Sequence, residues 1–142
     1  MAGELVLIIE DNPLNMKLAR DVLVFNGYQV VEAMTAEEGI VIACKREPAL
    51  ILMDIQLPGM DGVTAFKQLR KYPETQHIPV IALTASAMLT DRKVILAAGF
   101  DGYETKPISV RKLLDSVRTV IDKRAKVTQR AAPATAPDEG DV

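Results

Sequence analysis

The sequence predicts an α/β protein: a doubly wound, five-stranded parallel sheet with helices on both faces. Three observations point there. The runs Leu5–Ile9, Leu50–Met53 and Val80–Leu83 are short and apolar at every position, as expected of central strands covered by helices on both sides. Segments of helical periodicity, with recognisable caps, alternate with these runs. The connections are short, and repeated right-handed βαβ units build a layered sandwich.

The elements follow in order. After the first strand, Asn12 suits a helix N-cap and Pro13 the first helical position. Leu14, Leu18, Val22 and Phe25 then recur on one stripe, read as the face that packs on the core, and Asn26-Gly27 ends the helix. Gln29–Ala33 is a more polar, less buried strand. Thr35 opens the second helix, with Glu38 three residues on forming a capping box; it runs to Arg46, before Pro48. Leu50–Met53 is the third strand. The third helix starts at Asp61-Gly62 and ends before Pro73. Val80–Leu83 is the fourth strand, and a fourth helix spans Met88 to Ala98 with Gly99 as its stop. Gly102–Glu104 reads as an edge strand. The fifth helix starts at Ser109 and carries Val110, Leu113, Leu114, Val117 and Ile121 on an amphipathic stripe. From Lys126 the pattern dissolves into KVTQRAAPATAPDEGDV. Residues 1–125 are therefore expected to form one domain and 126–142 a disordered tail, too short for an output domain.

Composition narrows the function. The 142 residues are 49% hydrophobic and 25% charged, and 17 basic against 19 acidic residues leave a net charge of −2. That argues against a general nucleic-acid binder, which needs a basic face to neutralise phosphates. Cys44 is the only cysteine, so neither an internal disulfide nor a cysteine metal site can be built; it reads as a small thiol packed on a helix. No stretch approaches the roughly 18 apolar residues of a membrane span, and nothing basic precedes the first apolar run as in a secretory signal. A cytoplasmic protein is expected.

In open α/β sheets, ligands bind beyond the carboxyl ends of the strands, where the strand order switches. Glu10 and Asp11 follow the first strand, Asp54 the third, Thr84 and Ala85 the fourth, and Lys106-Pro107 the fifth. Three carboxylates, a hydroxyl and an ammonium thus converge on one rim. Crowded carboxylates repel unless a cation lies among them, and an all-oxygen set favours a hard ion such as Mg²⁺. Mg²⁺ keeps positions open for water and phosphate oxygens, so the set points to phosphoryl chemistry.

The stretches LVLIIEDNPLNMKLARDVL, ALILMDIQLPGMDG, HIPVIALTASAM and AAGFDGYETKPIS, with the last helix, resemble the receiver domains of bacterial two-component response regulators. The resemblance covers about residues 4–124, and EDNPLNMKL with LILMDIQLPGMDG and TKPIS is most similar to the single-domain DivK type and to the receivers of hybrid histidine kinases. It implies a flavodoxin-like (βα)5 fold with strand order 2-1-3-4-5. It also implies that Asp54 accepts a phosphoryl group. Asp11 matches the direct Mg²⁺ ligand, Glu10 the acidic neighbour acting through water, and the Gln56 backbone carbonyl the remaining protein ligand, with Mn²⁺ as an alternative ion. Thr84, Ala85 and Lys106 match the groups that contact the phosphoryl oxygens. Pro107 matches a proline that follows through a cis peptide, and Thr84 with Tyr103 the switch pair.

The resemblance further implies a histidine kinase or histidine phosphotransfer protein as donor, a downstream protein target such as a kinase, and cell-cycle or developmental control. Neither nucleic acid nor a membrane is expected as a partner. Helix geometry adds two expected docking surfaces: Met16, Arg20 and Leu23 on the first helix, taken to lie opposite the core stripe, and Leu89 with Leu96 on the fourth. The function expected is that of a phosphorylation-switched module without a DNA-binding output domain, catalysing only its own phosphorylation and dephosphorylation. Two alternatives are a phosphatase that turns over a metabolite through a phospho-aspartate and a scaffold receiver that is never phosphorylated. The first lacks a second acid two residues after Asp54, where Gln56 stands.

Overall fold

Alternating strands and helices fold in chain order as β1 (Leu5–Ile9), α1 (Pro13–Phe25), β2 (Gln29–Ala33), α2 (Ala36–Arg46), β3 (Leu50–Asp54), α3 (Gly62–Leu69), β4 (Val80–Thr84), α4 (Leu89–Ala97), β5 (Gly102–Thr105) and α5 (Val110–Thr135). This is a computed structural model, and it describes residues 3–85 and 89–135, with side chains described for 3–85 and 92–123. The sheet is wholly parallel in the order β2-β1-β3-β4-β5. The order reverses between β1 and β3, which puts the switch point between Ile9 and Asp54. No helix of the described residues is long and apolar enough to cross a membrane.

Every residue of β3 and β4 is buried, as their unbroken apolar character requires when both sheet faces are covered. Alternate strand residues feed two cores. Val6, Ile8, Leu52 and Leu83 pack against α1 and α5 through Met16, Leu23, Leu113 and Val117. Leu7, Ile9, Ile51 and Ala82 pack against α2, α3 and α4 through Ile40, Phe66 and Ile95. The two outer strands, β2 and β5, are the polar ones.

Local signals set the helix ends. Asn12 Oδ1 accepts from the N–H groups of Leu14 and Asn15 at the head of α1. Thr35 Oγ1 accepts from Glu38 N–H, while the Glu38 carboxylate reaches back to Met34 N–H rather than to that of Thr35. Asp61 accepts from Thr64 N–H at the head of α3. Glu47 ends α2 in the left-handed region, at φ +43°, just before Pro48, which bars continuation of the helix.

Two expectations need correction, and a third lies partly outside the described residues. Of the α1 stripe read as core-facing, Val22 alone is buried: Leu14 is 78%, Leu18 38% and Phe25 90% exposed, and Met16, Ala19 and Leu23 join Val22 on the buried face. Met16 and Leu23, expected to dock a partner, therefore cannot do so from where they stand. Both sets are compatible with helical spacing. Small Ala19 lets the α1 backbone approach the sheet closely, and the tight turn after β1 fixes the rotation of the helix. Secondly, α5 continues past Lys126 to Thr135. Lys, Gln, Arg and Ala extend a helix already nucleated by its packed first turns, against the cost of Pro133 near its end; 136–142, the rest of the expected tail, lie outside the described residues. Thirdly, the side chain of Leu89 lies outside the described residues; Leu96, its expected companion, is 40% exposed.

The inverted face of α1 makes a direct prediction. Leu23→Ala should cost about 2–5 kcal/mol in urea unfolding, as a buried large-to-small change does. Leu14→Ala should stay within about 0.5 kcal/mol, as an exposed change does. Equal losses at the two positions would restore the original orientation of the helix.

Candidate functional site

The carboxyl ends of β1 and β3 lie side by side, because Ile9 pairs with Met53. Glu10 and Asp54 therefore leave the sheet next to one another, both almost wholly buried, with Asp11 beside them at the surface of the cleft. One carboxylate oxygen from each of the three lies within 4.8 Å of the others. Lys106, brought over from the end of β5, faces this group: its Nζ is 3.0 Å from Asp54 Oδ2 and 2.9 Å from Glu10 Oε1.

Backbone geometry holds each acid. Glu10 Oε2 accepts from Asn12 N–H at 3.0 Å, and Asp54 Oδ1 accepts from Gln56 N–H at 2.9 Å. The residue after Asp54 is tied sideways by Ile55 N–H to Leu83 O. Lys106 is anchored by its own N–H, which donates to Thr84 O at 2.7 Å. Thr84 itself ends β4, buried, opposite Thr105. The Lys106-Pro107 peptide is cis, as expected. Ala85 follows in an exposed bend, and half-buried Tyr103 packs against the α2–α4 core two strand positions before Thr105.

The charge balance explains the electrostatics. Burial is the main cause that pushes the Glu10 carboxyl above the usual glutamate range, with the Asp54 charge adding to it; Lys106 and Asn12 N–H oppose the shift. For Lys106, burial is again the largest influence and acts downward. Its contacts with Glu10 and Asp54 outweigh that and hold the ammonium above its ordinary value. One lysine does not neutralise three acids. Although Lys106 lies 2.9 Å from Glu10 Oε1, that oxygen is buried and accepts no directed hydrogen bond. Three clustered carboxylates, two of them buried, sharing one ammonium form an all-oxygen set that a hard divalent cation satisfies.

The structure thus brings together Glu10, Asp11, Asp54, Thr84 and Lys106 on one rim, with Gln56 and Ala85 at its margin. It keeps Arg20 at the side of α1, where its guanidinium pairs with Glu32 at 2.6 Å. Two participants escaped the sequence reading. Asn12 was legible as a cap but not as the donor to Glu10. Gly62 was legible as a helix start, yet its need for glycine lies in the site: a Cβ there would stand 2.6 Å from Asp54 O and 2.8 Å from Ile55 Cα. The Asp61-Gly62 pair was the only visible signal.

Comparison with known proteins places this geometry in context. Residues 6–118 match the family model described as the response regulator receiver domain. The polar-differentiation response regulator DivK of Brucella ovis is 42% identical over 116 residues, which cover 82% of this chain and 94% of that protein. Among solved structures, the receiver domain of sensor histidine kinase PA1611 from Pseudomonas aeruginosa superposes with a TM-score of 0.78 at 33% identity, covering 85% of this chain and 99% of the other. That structure carries a magnesium ion coordinated in its active-site cleft. A CheY-like receiver from Methanospirillum hungatei gives a TM-score of 0.79 at 30% identity, over 88% and 98% of the two chains.

Crowding among like charges predicts the effect of neutralising one. Without divalent cations, Glu10→Gln should stabilise the fold by on the order of 1 kcal/mol, since it removes a buried charge that is not fully compensated. Saturating Mg²⁺ should raise the melting temperature of the wild type and do so much less for Glu10→Gln. Equal Mg²⁺ stabilisation of both proteins, followed by calorimetry, would remove Glu10 from the cation site.

Proposed function

Because the chain belongs to the response regulator receiver family, we propose that it works in the cytoplasm as a phosphorylation switch, taking a phosphoryl group onto Asp54 from a histidine kinase or histidine phosphotransfer protein. The observation that carries this reading is the cluster itself: three carboxylates within 4.8 Å of one another, faced by a single lysine, at the topological switch point.

The residues suit the parts required. An Asp54 oxygen attacks phosphorus, the new bond forms an acyl phosphate, and the bond from phosphorus to the donor breaks with its electron pair leaving on the donor. Asp54 is held for this by the Gln56 N–H on one oxygen and Lys106 on the other. As the phosphoryl group arrives, the ammonium of Lys106 is within reach of its oxygens, and the Thr84 hydroxyl and Ala85 N–H close the remaining side. Such sites need positioning and positive charge more than acid–base chemistry. Asp11, Asp54 and the Gln56 carbonyl, with Glu10 through water, form a donor set for Mg²⁺, and Mn²⁺ suits the same hard oxygen ligands. The ion supplies positive charge to the transferring oxygens.

Phosphorylation adds about −1.5 to −2 of charge at a rim already rich in acid. Thr84 drawn toward the phosphoryl group and Tyr103 turning into the space behind it would carry that change along β4 and β5 to the surface bearing Leu96, where a protein target reads it. Arg20, beside the rim on α1, stands where a donor approaches. A metabolite phosphatase is disfavoured by Gln56, which stands where a second acid would be needed. A silent scaffold is disfavoured because each position that handles the phosphoryl group carries a competent side chain.

Incubation with acetyl phosphate and Mg²⁺, followed by intact-mass measurement, tests the reading. One phosphoryl group should add to the wild type and none to Asp54→Asn. Lys106→Ala should bind Mg²⁺ yet accept phosphate at least about tenfold more slowly. Addition to Asp54→Asn would show that the acceptor lies elsewhere, and no addition to a wild type that binds Mg²⁺ would favour the scaffold.

A further inference from the structure

The loop that follows Asp54 is closed at a narrow neck, and Gly62 stands in that neck. Gly62 N–H donates to Ile55 O at 3.0 Å, which joins the two ends of residues 55–62. Between them the chain turns through Pro58-Gly59, with Gly59 at φ +75°, as the third residue of a type II turn requires. Leu57 is buried, and Ile55 and Met60 pack partly against the α2–α4 core. Apolar side chains thus pin the loop from below, while one backbone bond shuts it. Gln56, by contrast, is exposed, and its N–H is spent on the phosphoryl site, donating to Asp54 Oδ1 at 2.9 Å.

The neck has no room for a side chain. A Cβ at position 62 would stand 2.6 Å from Asp54 O, 2.8 Å from Ile55 Cα and 3.2 Å from Ile55 Cδ1. The two nearest are main-chain atoms, which cannot swing aside as a side-chain tip can. The Gly62 backbone is outside the left-handed region, so close approach, not conformation, is what excludes other residues here. To regain ordinary contact distances, the head of α3 and the end of β3 would have to part by about 1 Å. Ile55 is held on its other side by its N–H to Leu83 O at 2.9 Å, so the movement falls on the loop and the helix head.

We propose that Gly62 is a positioning residue of the phosphoryl site: the backbone contact at the neck sets where the Gln56 peptide meets Asp54, and with it the affinity for the cation. The inference rests on the proposed function for the Gln56 carbonyl as a cation ligand. A glycine needed for packing alone changes stability. A neck that holds a ligand peptide also changes binding in molecules that are fully folded. Mg²⁺ demands near-octahedral geometry at short range and tolerates little displacement of one ligand, and supporting groups behind the ligands carry much of the affinity.

Coupling between two places is reciprocal, so the wild type alone gives the first test. In amide hydrogen exchange, Gly62 N–H should exchange at least about threefold more slowly in saturating Mg²⁺. Arg70 N–H, bonded to Phe66 O at the far end of α3, should not change. The second test is titration calorimetry with Mg²⁺, at a temperature where circular dichroism shows each variant folded. Gly62→Ala should bind at least about tenfold more weakly. Leu69→Ala, a buried change at the end of the same helix, should lose stability and keep the wild-type affinity. Ile55→Val removes Cδ1 and leaves the main-chain contacts, so it should not restore the affinity of Gly62→Ala. The proposal is overturned by Gly62 exchange that ignores Mg²⁺, by a folded Gly62→Ala with wild-type affinity, by an equal loss in Leu69→Ala, or by rescue through Ile55→Val. Each of those outcomes leaves the cation site standing. A wild type that binds no Mg²⁺ overturns both.

Discussion

The crowding of Glu10, Asp11 and Asp54 is the constraint around which the rest is arranged. Like charges at such separations repel strongly where water is excluded, and two of the three are buried. The fold keeps them together because each stands at the end of a strand whose own residues are packed on both sides. The β1–β3 pairing sets the spacing of Glu10 and Asp54, and the long reach of Lys106 from β5 supplies the only ammonium that contacts them among the described residues. The arrangement is electrostatically incomplete without a cation, and that incompleteness is the chemical content of the site.

Backbone groups stabilise what the side chains leave unbalanced. Asn12 N–H and Gln56 N–H each donate to a buried carboxylate, and each belongs to a turn that leaves the sheet. Gly62 lets α3 begin against Asp54 O, where any side chain would collide with the main chain. Acid, turn and helix start are therefore one packed unit on each strand. A shift of the acid would require a shift of the helix behind it, which is why the site can be held within narrow limits on what is formally a loop region.

Much of this was legible in the sequence. The three apolar runs became strands at the expected places, and Asn12, Thr35 and Asp61 capped the helices they were read to cap. Glu10 and Lys106 directly follow their strands, while Asp54 and Thr84, expected just after theirs, are the last residues of β3 and β4. What failed was rotation. Apolar residues on α1 occur on both faces, so periodicity alone could not say whether Leu14 and Phe25 or Met16 and Leu23 turned inward. The spacing of Leu14, Leu18, Val22 and Phe25 was read as the former; in the fold Met16, Ala19, Val22 and Leu23 turn inward. The length of α5 was also hidden, because its last turns carry no apolar stripe and include Pro133, a poor helix former. Hydrogen bonds such as Asn12 N–H to Glu10 depend on a turn conformation that no spacing rule specifies.

The two ends of the β4–β5 pair are held by different means. At the base, Asp101 Oδ2 accepts from Val80 N–H at 2.9 Å, and Arg70 donates to Ile78 O at 2.8 Å while lying 3.5 Å from Asp101. The Arg70 guanidinium also covers the Phe66 ring, which stacks on Phe100 at a centroid separation of 4.2 Å. Helix α3, the loop before β4 and the entry to β5 are thus clamped together by charge, ring stacking and backbone bonds. At the rim, Lys106 N–H bonds to Thr84 O, next to the exposed bend at Ala85. Glu104, between the two, bonds to Ser116 of α5. The base of the strand pair is thus tied to α3, and its rim to the acidic cluster through Lys106. Under the proposed phosphorylation of Asp54, a shift of Lys106 would pass to Thr84 through that backbone bond, while the clamp at the base keeps the two strands in register.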